Sequence, residues 1–236
     1  MFSIEVDQNP YLPAGAREVS AIVVVTAPDT MDGAAGRGLP QGPADGGIAE
    51  IIVIDCSRSM DGAKLELARA ATAAAVNLIR DGTLFAIVAG TSKALPVYPA
   101  DGSMAVADDR TRAAAKDTLP GLRADGGTAM GQWLRLAHRI FATSPAALRH
   151  AILLTDGGNQ HETPEDLAAA IGLCEGVFRC DCRVMSADWK VAELRQITTA
   201  LRGTLGTLPG RGGWTEEFAE LMRDAMSTPR PRLAVR

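Results

Sequence analysis

The stretch IAEIIVIDCSRS, residues 48–59, decides the fold class of this chain. Its middle becomes continuously apolar, which is the pattern of a strand buried on both faces, and the stretch then turns polar at Asp55. Strands of this kind belong to parallel sheets that helices cover on both sides. An acid directly after such a strand lies in the crevice at the carboxyl ends of the strands, where open α/β sheets bind their ligands.

From this stretch onward, strand patterns alternate with helix patterns. Further strands are predicted over 83–90, 151–155, 180–187 and 204–208, with an edge strand or loop over 95–100, where two prolines stand. Helices are predicted over 61–80, 108–118, 129–142, 164–174, 189–202 and 214–227, with Thr163 as an N-cap before Pro164. The fold class is therefore α/β, a Rossmann-like doubly wound and mainly parallel sheet flanked by helices.

The two ends of the chain fall outside this alternation. Residues 1–30 contain FSIEVD and VSAIVVVTA, which predict a hairpin-like pair of strands as an N-terminal β appendage. Residues 31–47 form a Gly/Pro-rich loop, residues 48–228 the α/β domain, and residues 229–236 an extended C-terminal segment. We expect LAVR, residues 233–236, to pair with the hairpin, and a chain continuing beyond Arg236 would complete a β-sandwich there.

Composition excludes several classes of function. The 24 Lys and Arg residues against 28 Asp and Glu residues give a net charge of −4, and no block of five or six like charges occurs, which disfavours a nucleic-acid-binding module. Aromatic residues make up only 4%, too few for a base-stacking surface, and neither a phosphate-binding loop nor a dinucleotide fingerprint follows a strand. An ordinary globular protein is indicated.

The N-terminus lacks the basic and apolar regions of a signal peptide, and no apolar run reaches the ~18 residues that a membrane span needs. We therefore expect a cytoplasmic protein whose cysteines remain thiols. A zinc site of Cys174, Cys180, Cys182 and His161 is an alternative, but the spacing matches no usual ligand pattern. Buried thiols in an apolar segment are the favoured interpretation.

Polar groups converge at one edge of the predicted sheet. Asp55 and Asp156 each follow an apolar strand, so both carboxylates should lie at the carboxyl edge. The loop Gly126–Thr128 leads into a helix and can bring a third hydroxyl to Ser57 and Ser59. An all-oxygen set of this kind suits a hard cation such as Mg²⁺.

Three motifs carry a family resemblance: DCSRS at 55–59, GGT at 126–128 and TDGG at 155–158. In this order and at these strand ends, they resemble the metal-ion-dependent adhesion site of the von Willebrand factor type A family. The resemblance covers about residues 48–228 and suggests a bacterial cytoplasmic member. It implies a non-enzymatic module that binds Mg²⁺, or Mn²⁺ or Ca²⁺, and through the ion an Asp or Glu of an unidentified partner protein.

The same resemblance assigns roles to residues. It implies that Ser57, Ser59 and Thr128 ligate the metal directly, while Asp55 and Asp156 act directly or through water. Arg58, Gly127 and Gly157 are expected at the ligand-binding rim. Arg58 departs from the family, where a small residue is common at this place. Its guanidinium could repel the cation, help to hold an acidic ligand, or point to solvent.

Two other classes of function stay open. Asp55 could be the nucleophile of a Mg²⁺-dependent phosphatase or hydrolase, although Ser57 stands where a second acid would be expected. The fold could also serve as a metal-free scaffold. Of the three histidines, only His161 is placed near the crevice, and a solvated loop residue is its simplest interpretation.

Overall fold

The computed structural model describes residues 3–8, 21–26, 47–185 and 191–207. Strands β1 (Ser3–Gln8) and β2 (Ala21–Thr26) pair antiparallel in a two-stranded sheet, which confirms the predicted pairing. Most of the predicted loop over 31–47, the helix over 214–227 and the pairing of residues 233–236 lie outside the described residues.

In the part of the chain that the structure describes, the main sheet has seven strands: β3 (Ile48–Asp55), β4 (Leu84–Gly90), β5 (Ala94–Tyr98), β6 (Ala105–Val106), β7 (Leu148–Thr155), β8 (Arg179–Val184) and β9 (Leu205–Thr207). Their order is β5-β4-β3-β7-β8-β9, and β6 also pairs with β4. Strands β4, β3, β7, β8 and β9 run parallel, while β5 and β6 are antiparallel to β4. The predicted α/β fold with a mainly parallel sheet is confirmed, and only the two-residue strand β6 was not expected.

Among the described residues, five helices flank this sheet: α1 (Ala63–Leu78), α2 (Asp109–Thr118), α3 (Met130–Ala142), α4 (Pro164–Cys174) and α5 (Val191–Ala200). Their ends lie within two residues of the predicted ones. Thr163 caps α4 as predicted, with its hydroxyl accepting from the Asp166 N–H and Pro164 at the first helical position. None of the described helices combines the length and the apolar character that crossing a membrane requires.

The strands are apolar on both faces because each face packs against helices. Along β3, Ile51 and Val53 join a core with α3, α4 and α5, whereas Ile52 and Ile54 join a second core with α1 and α2. This period of two explains why the strand reads as a continuous apolar run. The chain passes from β3 to β4 on one side and returns to β7 on the other, so a crevice opens beyond the ends of β3 and β7.

A buried charged cluster lies at the opposite end of the sheet, near the starts of three parallel strands. We call Glu50, His150 and Asp181 the amino-end cluster. The ring of His150 joins the two acids, with Nδ1 2.5 Å from Glu50 and Nε2 2.7 Å from Asp181, and all three residues are buried. Asp181 also accepts from the backbone and side chain of Thr204 and lies 3.4 Å from Arg179.

The cluster holds its proton on the imidazole. Burial opposes this charge, but attraction to Glu50 and hydrogen bonds to both carboxylates raise the pKa of His150 to about 10. Burial also raises the pKa of Glu50, while the hydrogen bond and charge of His150 outweigh burial and lower the pKa of Asp181. His150 therefore acts as an internal cation between two buried acids.

Candidate metal centre

Asp55 ends β3 at the crevice and is completely buried. One carboxylate oxygen accepts the Ser57 N–H at 2.8 Å, and the other accepts the hydroxyl of Thr155, the last residue of β7, at 2.6 Å. Burial raises the pKa of Asp55, and these hydrogen bonds oppose the rise. The carboxylate is thus fixed on both sides directly beneath the loop that follows it.

The side chains of Ser57, Ser59 and Asp156 form a continuous chain of oxygens. The Ser57 and Ser59 hydroxyl oxygens are 3.0 Å apart, and the Ser59 hydroxyl donates to an Asp156 oxygen at 2.8 Å. A single 3₁₀ turn over Arg58–Met60 carries the second serine, while Asp156 follows β7. Ser57 and Asp156 are buried and Ser59 is exposed, so the chain of oxygens meets solvent at its middle member.

The loop that carries Thr128 is bound to the same edge of the sheet. The Arg58 N–H donates to the Gly126 carbonyl at 3.2 Å, and the Asp125 N–H donates to the Cys56 carbonyl at 2.8 Å. Gly126 has φ +69°, a backbone conformation that favours glycine at this turn. Thr128 is buried, and its hydroxyl makes no hydrogen bond to any residue that the structure describes. Its oxygen is therefore available to a ligand.

Helix α3 begins at Met130, two residues after Thr128, and its N-cap residue Ala129 has no side chain that can cap it. Three side chains from the loop between β7 and α4 take the free N–H groups instead: Nδ1 of His161 accepts from Thr128 at 3.1 Å, Oδ1 of Asn159 from Met130 at 2.9 Å, and Oε1 of Glu162 from Gly131 at 2.6 Å. We call Asn159, His161 and Glu162 the capping triplet. It ties the loop that contains Asp156 to the loop that contains Thr128.

The expected rim residues differ in their surroundings. A Cβ on Gly127 would overlap the ring of His161, whereas a Cβ on Gly157 would meet open space. The side chain of Arg58 is 81% exposed and lies 3.7 Å from Asp125, which is 84% exposed. Arg58 therefore points to solvent and forms at most a weak surface ion pair.

Lys64, in the first turn of α1, approaches the candidate site from the helix side. Its ammonium lies 2.6 Å from the second oxygen of Asp156 and donates to the Ser59 carbonyl at 3.2 Å. No sequence pattern indicates a role for Lys64 or the capping triplet, and the sequence predicts only a solvated loop residue at His161. His161 is exposed, but its ring also accepts the Thr128 N–H.

The chemistry of this set fits a hard divalent cation. Its donors are two carboxylates and three hydroxyls, and oxygen ligands suit Mg²⁺, Mn²⁺ or Ca²⁺. Among the described residues, no group of three or more His, Cys, Asp and Glu side chains is arranged to hold a metal. The alternative zinc site therefore has no support: Cys174 donates to the Leu134 carbonyl, and His161 accepts from Thr128.

The chain is similar to known proteins in both sequence and structure. Residues 49–206 match the sequence profile of the family described as the von Willebrand factor type A domain. The structure of a von Willebrand factor type A protein from Catenulispora acidiphila is 45% identical in sequence, with a TM-score of 0.80. That match covers 95% of this chain and 50% of the other.

Two more distant matches are one in sequence and one in structure. An uncharacterized protein of Synechocystis, sll0103, is 24% identical over 175 residues, which is 73% of this chain and 40% of that protein. The chain thus spans half or less of the length of these two relatives. Proximal thread matrix protein 1 from the mussel byssus, solved with a zinc-occupied MIDAS motif, is 19% identical with a TM-score of 0.57, covering 77% of this chain and 45% of that one.

Proposed function

The chain belongs to the von Willebrand factor type A domain family, whose domains are generally protein-interaction modules, and from this premise we propose that it binds a partner protein through a divalent cation. The supporting observation is the chain of oxygens from Ser57 through Ser59 to Asp156, with buried Asp55 fixed beneath it. The cation is Mg²⁺, with Mn²⁺ or Ca²⁺ as substitutes. The mussel relative with zinc in its MIDAS motif supports a metal at this place in the fold.

Each residue of the set has a role in this proposal. Ser57, Ser59 and Thr128 donate hydroxyl oxygens directly, while Asp55 and Asp156 supply the negative charge. Hydroxyls are weak donors, and two carboxylates only balance a dication, so a bound ion would still attract an anion. The partner accordingly presents an Asp or Glu carboxylate, which could approach past exposed Arg58 and the open space beside Gly157, while Gly127 is buried against His161.

The alternative in which Asp55 is a phosphoryl-accepting nucleophile is less well supported. A nucleophile must reach its substrate, yet Asp55 is completely buried and both of its oxygens accept hydrogen bonds within the chain. Family members are typically not enzymes. We therefore propose a binding role without turnover.

We also propose that the domain works in the cytoplasm. Cys56, Cys174, Cys180 and Cys182 are all free and buried. Free thiols are typical of a reducing compartment.

Calorimetric titration with Mg²⁺ and Mn²⁺ tests the metal site. We expect saturable binding by the wild type and at least about tenfold weaker binding by Asp156→Ala, because the variant loses one of two negative ligands. Asp117→Ala, which removes an exposed carboxylate of α2, is the matched control and should bind as the wild type does. Equal affinity of Asp156→Ala and the wild type would contradict the proposed site.

Affinity capture with and without EDTA then tests the partner. Proteins retained by the wild type in Mg²⁺, but released by EDTA and not retained by Asp156→Ala, are the expected partners. A partner retained equally under all three conditions would instead support the metal-free scaffold.

A further inference from the structure

The ion pair between Lys64 and Asp156 is unusual for its position in α1. Lys64 is the second residue of this helix, where the positive end of the helix dipole disfavours a cation. Its ammonium nevertheless lies 2.6 Å from an oxygen of Asp156, whose side chain is only 7% exposed. The attraction of a nearly buried carboxylate explains why Lys64 lies here.

Lys64 is also the counter-charge of the whole edge. Asp55 and Asp156 are both buried there, and among the ion pairs of the described residues only Lys64 contacts either of them. Arg58 lies on the same loop but approaches Asp125 instead. The two acids therefore have one protein cation between them in the structure.

The side chain of Lys64 is able to leave. It is 40% exposed, and a lysine carries its compact charge on a flexible stem that can reach water. The ammonium contacts one Asp156 oxygen and the Ser59 carbonyl, so its departure would break two contacts at the surface side of the site. No element would have to move.

We propose that Lys64 is a resident counter-cation that competes with the divalent ion for Asp156. The inference rests on the proposed metal site and extends it: Lys64 neutralises Asp156 in the metal-free protein and sets the metal concentration at which the site fills. Two cations on one carboxylate repel each other whether Lys64 swings away or stays on the second oxygen. In both arrangements Lys64 weakens metal binding.

The test combines two variants with two readouts. Lys64→Met keeps most of the unbranched stem without the charge, and Lys64→Arg keeps the charge. Titration with Mg²⁺ alone should give about tenfold tighter binding for Lys64→Met than for the wild type, and little change for Lys64→Arg. In EDTA, Lys64→Met should melt at a lower temperature than the wild type, because Asp156 has lost its counter-charge.

Matched controls separate this effect from a general change in charge. Lys93→Met removes an exposed lysine from the loop after β4 and should change neither readout. In an Asp156→Ala background, Lys64→Met should no longer lower the melting temperature in EDTA, because the ion pair is already absent.

Every outcome bears on the inference. Tighter Mg²⁺ binding by Lys64→Met, including binding that the wild type does not show, supports it. Equal or weaker binding by Lys64→Met, with a wild type that binds, overturns the competition and leaves the proposed function standing. If neither protein binds Mg²⁺ or Mn²⁺, both the proposed metal site and the competition are wrong.

Discussion

Strand β3 carries a buried acid near each end, and the negative charge is compensated differently at the two ends. Glu50 near its start and Asp55 at its end are both completely buried. At the start, His150 lies between Glu50 and Asp181 as a cation that is itself buried. At the end, Asp55 contacts no cation among the ion pairs of the described residues, and its neighbour Asp156 pairs with Lys64, which comes from a helix and is 40% exposed.

The comparison shows that a buried acid alone does not mark a binding site. In the amino-end cluster, the acids and their cation are packed inside the sheet, so the charges stabilise one arrangement. At the carboxyl edge, two acids have one contacting cation, which can reach water, whereas Arg179 adds a second cation beside Asp181 in the amino-end cluster. A binding site differs here from a purely structural cluster in whether its counter-charge can be exchanged for another cation.

The largest expected effect is the removal of the internal cation. His150→Leu leaves Glu50 and Asp181 buried without it and should lower the free energy of unfolding at pH 7 by about 3–5 kcal/mol, measured by urea denaturation. Lys64→Met at the other edge should cost about 1 kcal/mol or less, because that pair is partly exposed. If the two variants lose similar stability, the contrast between the ends is wrong.

A second variant keeps this test decisive even if His150→Leu folds poorly. Adding Glu50→Gln removes the buried carboxylate that is then left without a contacting cation, whereas Asp181 keeps Arg179 at 3.4 Å, so the double variant should recover part of the lost stability. Its failure to do so would indicate that His150 acts through packing rather than charge.

The next largest expected effect is on the pH dependence of stability, to which only the amino-end cluster should contribute in the neutral range. The folded state holds the proton of His150 up to pH about 10, whereas an unfolded histidine releases it near 6.5. The contribution of His150 to the free energy of unfolding is therefore complete below pH 6.5. It should fall as the pH rises, by up to ~1.4 kcal/mol per pH unit. Denaturation between pH 6.5 and 7.5, about one unit below the usual pKa of a thiol, measures this slope.

Lys64→Met should keep the wild-type slope, since its charge does not belong to the cluster. A His150→Gln variant should lose it. A flat wild-type profile in this range would show that the cluster does not hold an imidazolium.

The smallest expected effect concerns the capping triplet. Asn159→Ala removes the acceptor of the Met130 N–H and should cost about 1 kcal/mol, the usual loss for a helix cap, measured by urea denaturation. It should also weaken Mg²⁺ binding, because the loop of Thr128 loses one of its anchors. Gln160→Ala, whose side chain is exposed in the same loop, is the control. Loss of stability without any change in Mg²⁺ affinity would show that the triplet supports the helix alone.

How far the sequence predicts this molecule depends on what each feature requires. The α/β fold can be predicted from the periodicity of apolar residues and from the turn residues between elements, because both are local patterns in the sequence. Asp55 and Asp156 could be predicted to share an edge because both follow strands that had to be parallel. The position of each acid depends only on the strand that precedes it and on the parallel arrangement of the strands.

Other features depend on register and on loop conformation. The amino-end cluster exists because Glu50 pairs with His150 across β3 and β7, and Asp181 lies on the next strand. The signal available was an acid inside each of two apolar strands, which needs a buried partner that the sequence does not name. Lys64 and the capping triplet reach their partners through turns whose geometry no local pattern specifies.

The first turn of α3 is capped by side chains from a loop later in the chain, which affects the order in which these segments fold. The acceptors of its first N–H groups lie 29 to 33 residues further along the chain. During synthesis, this helix therefore begins frayed, and its first turn closes only after β7 and the loop behind it have emerged. In the finished protein, hydrogen exchange at Thr128, Met130 and Gly131 should follow one shared opening. Those three amide protons report the docking of the two loops on each other.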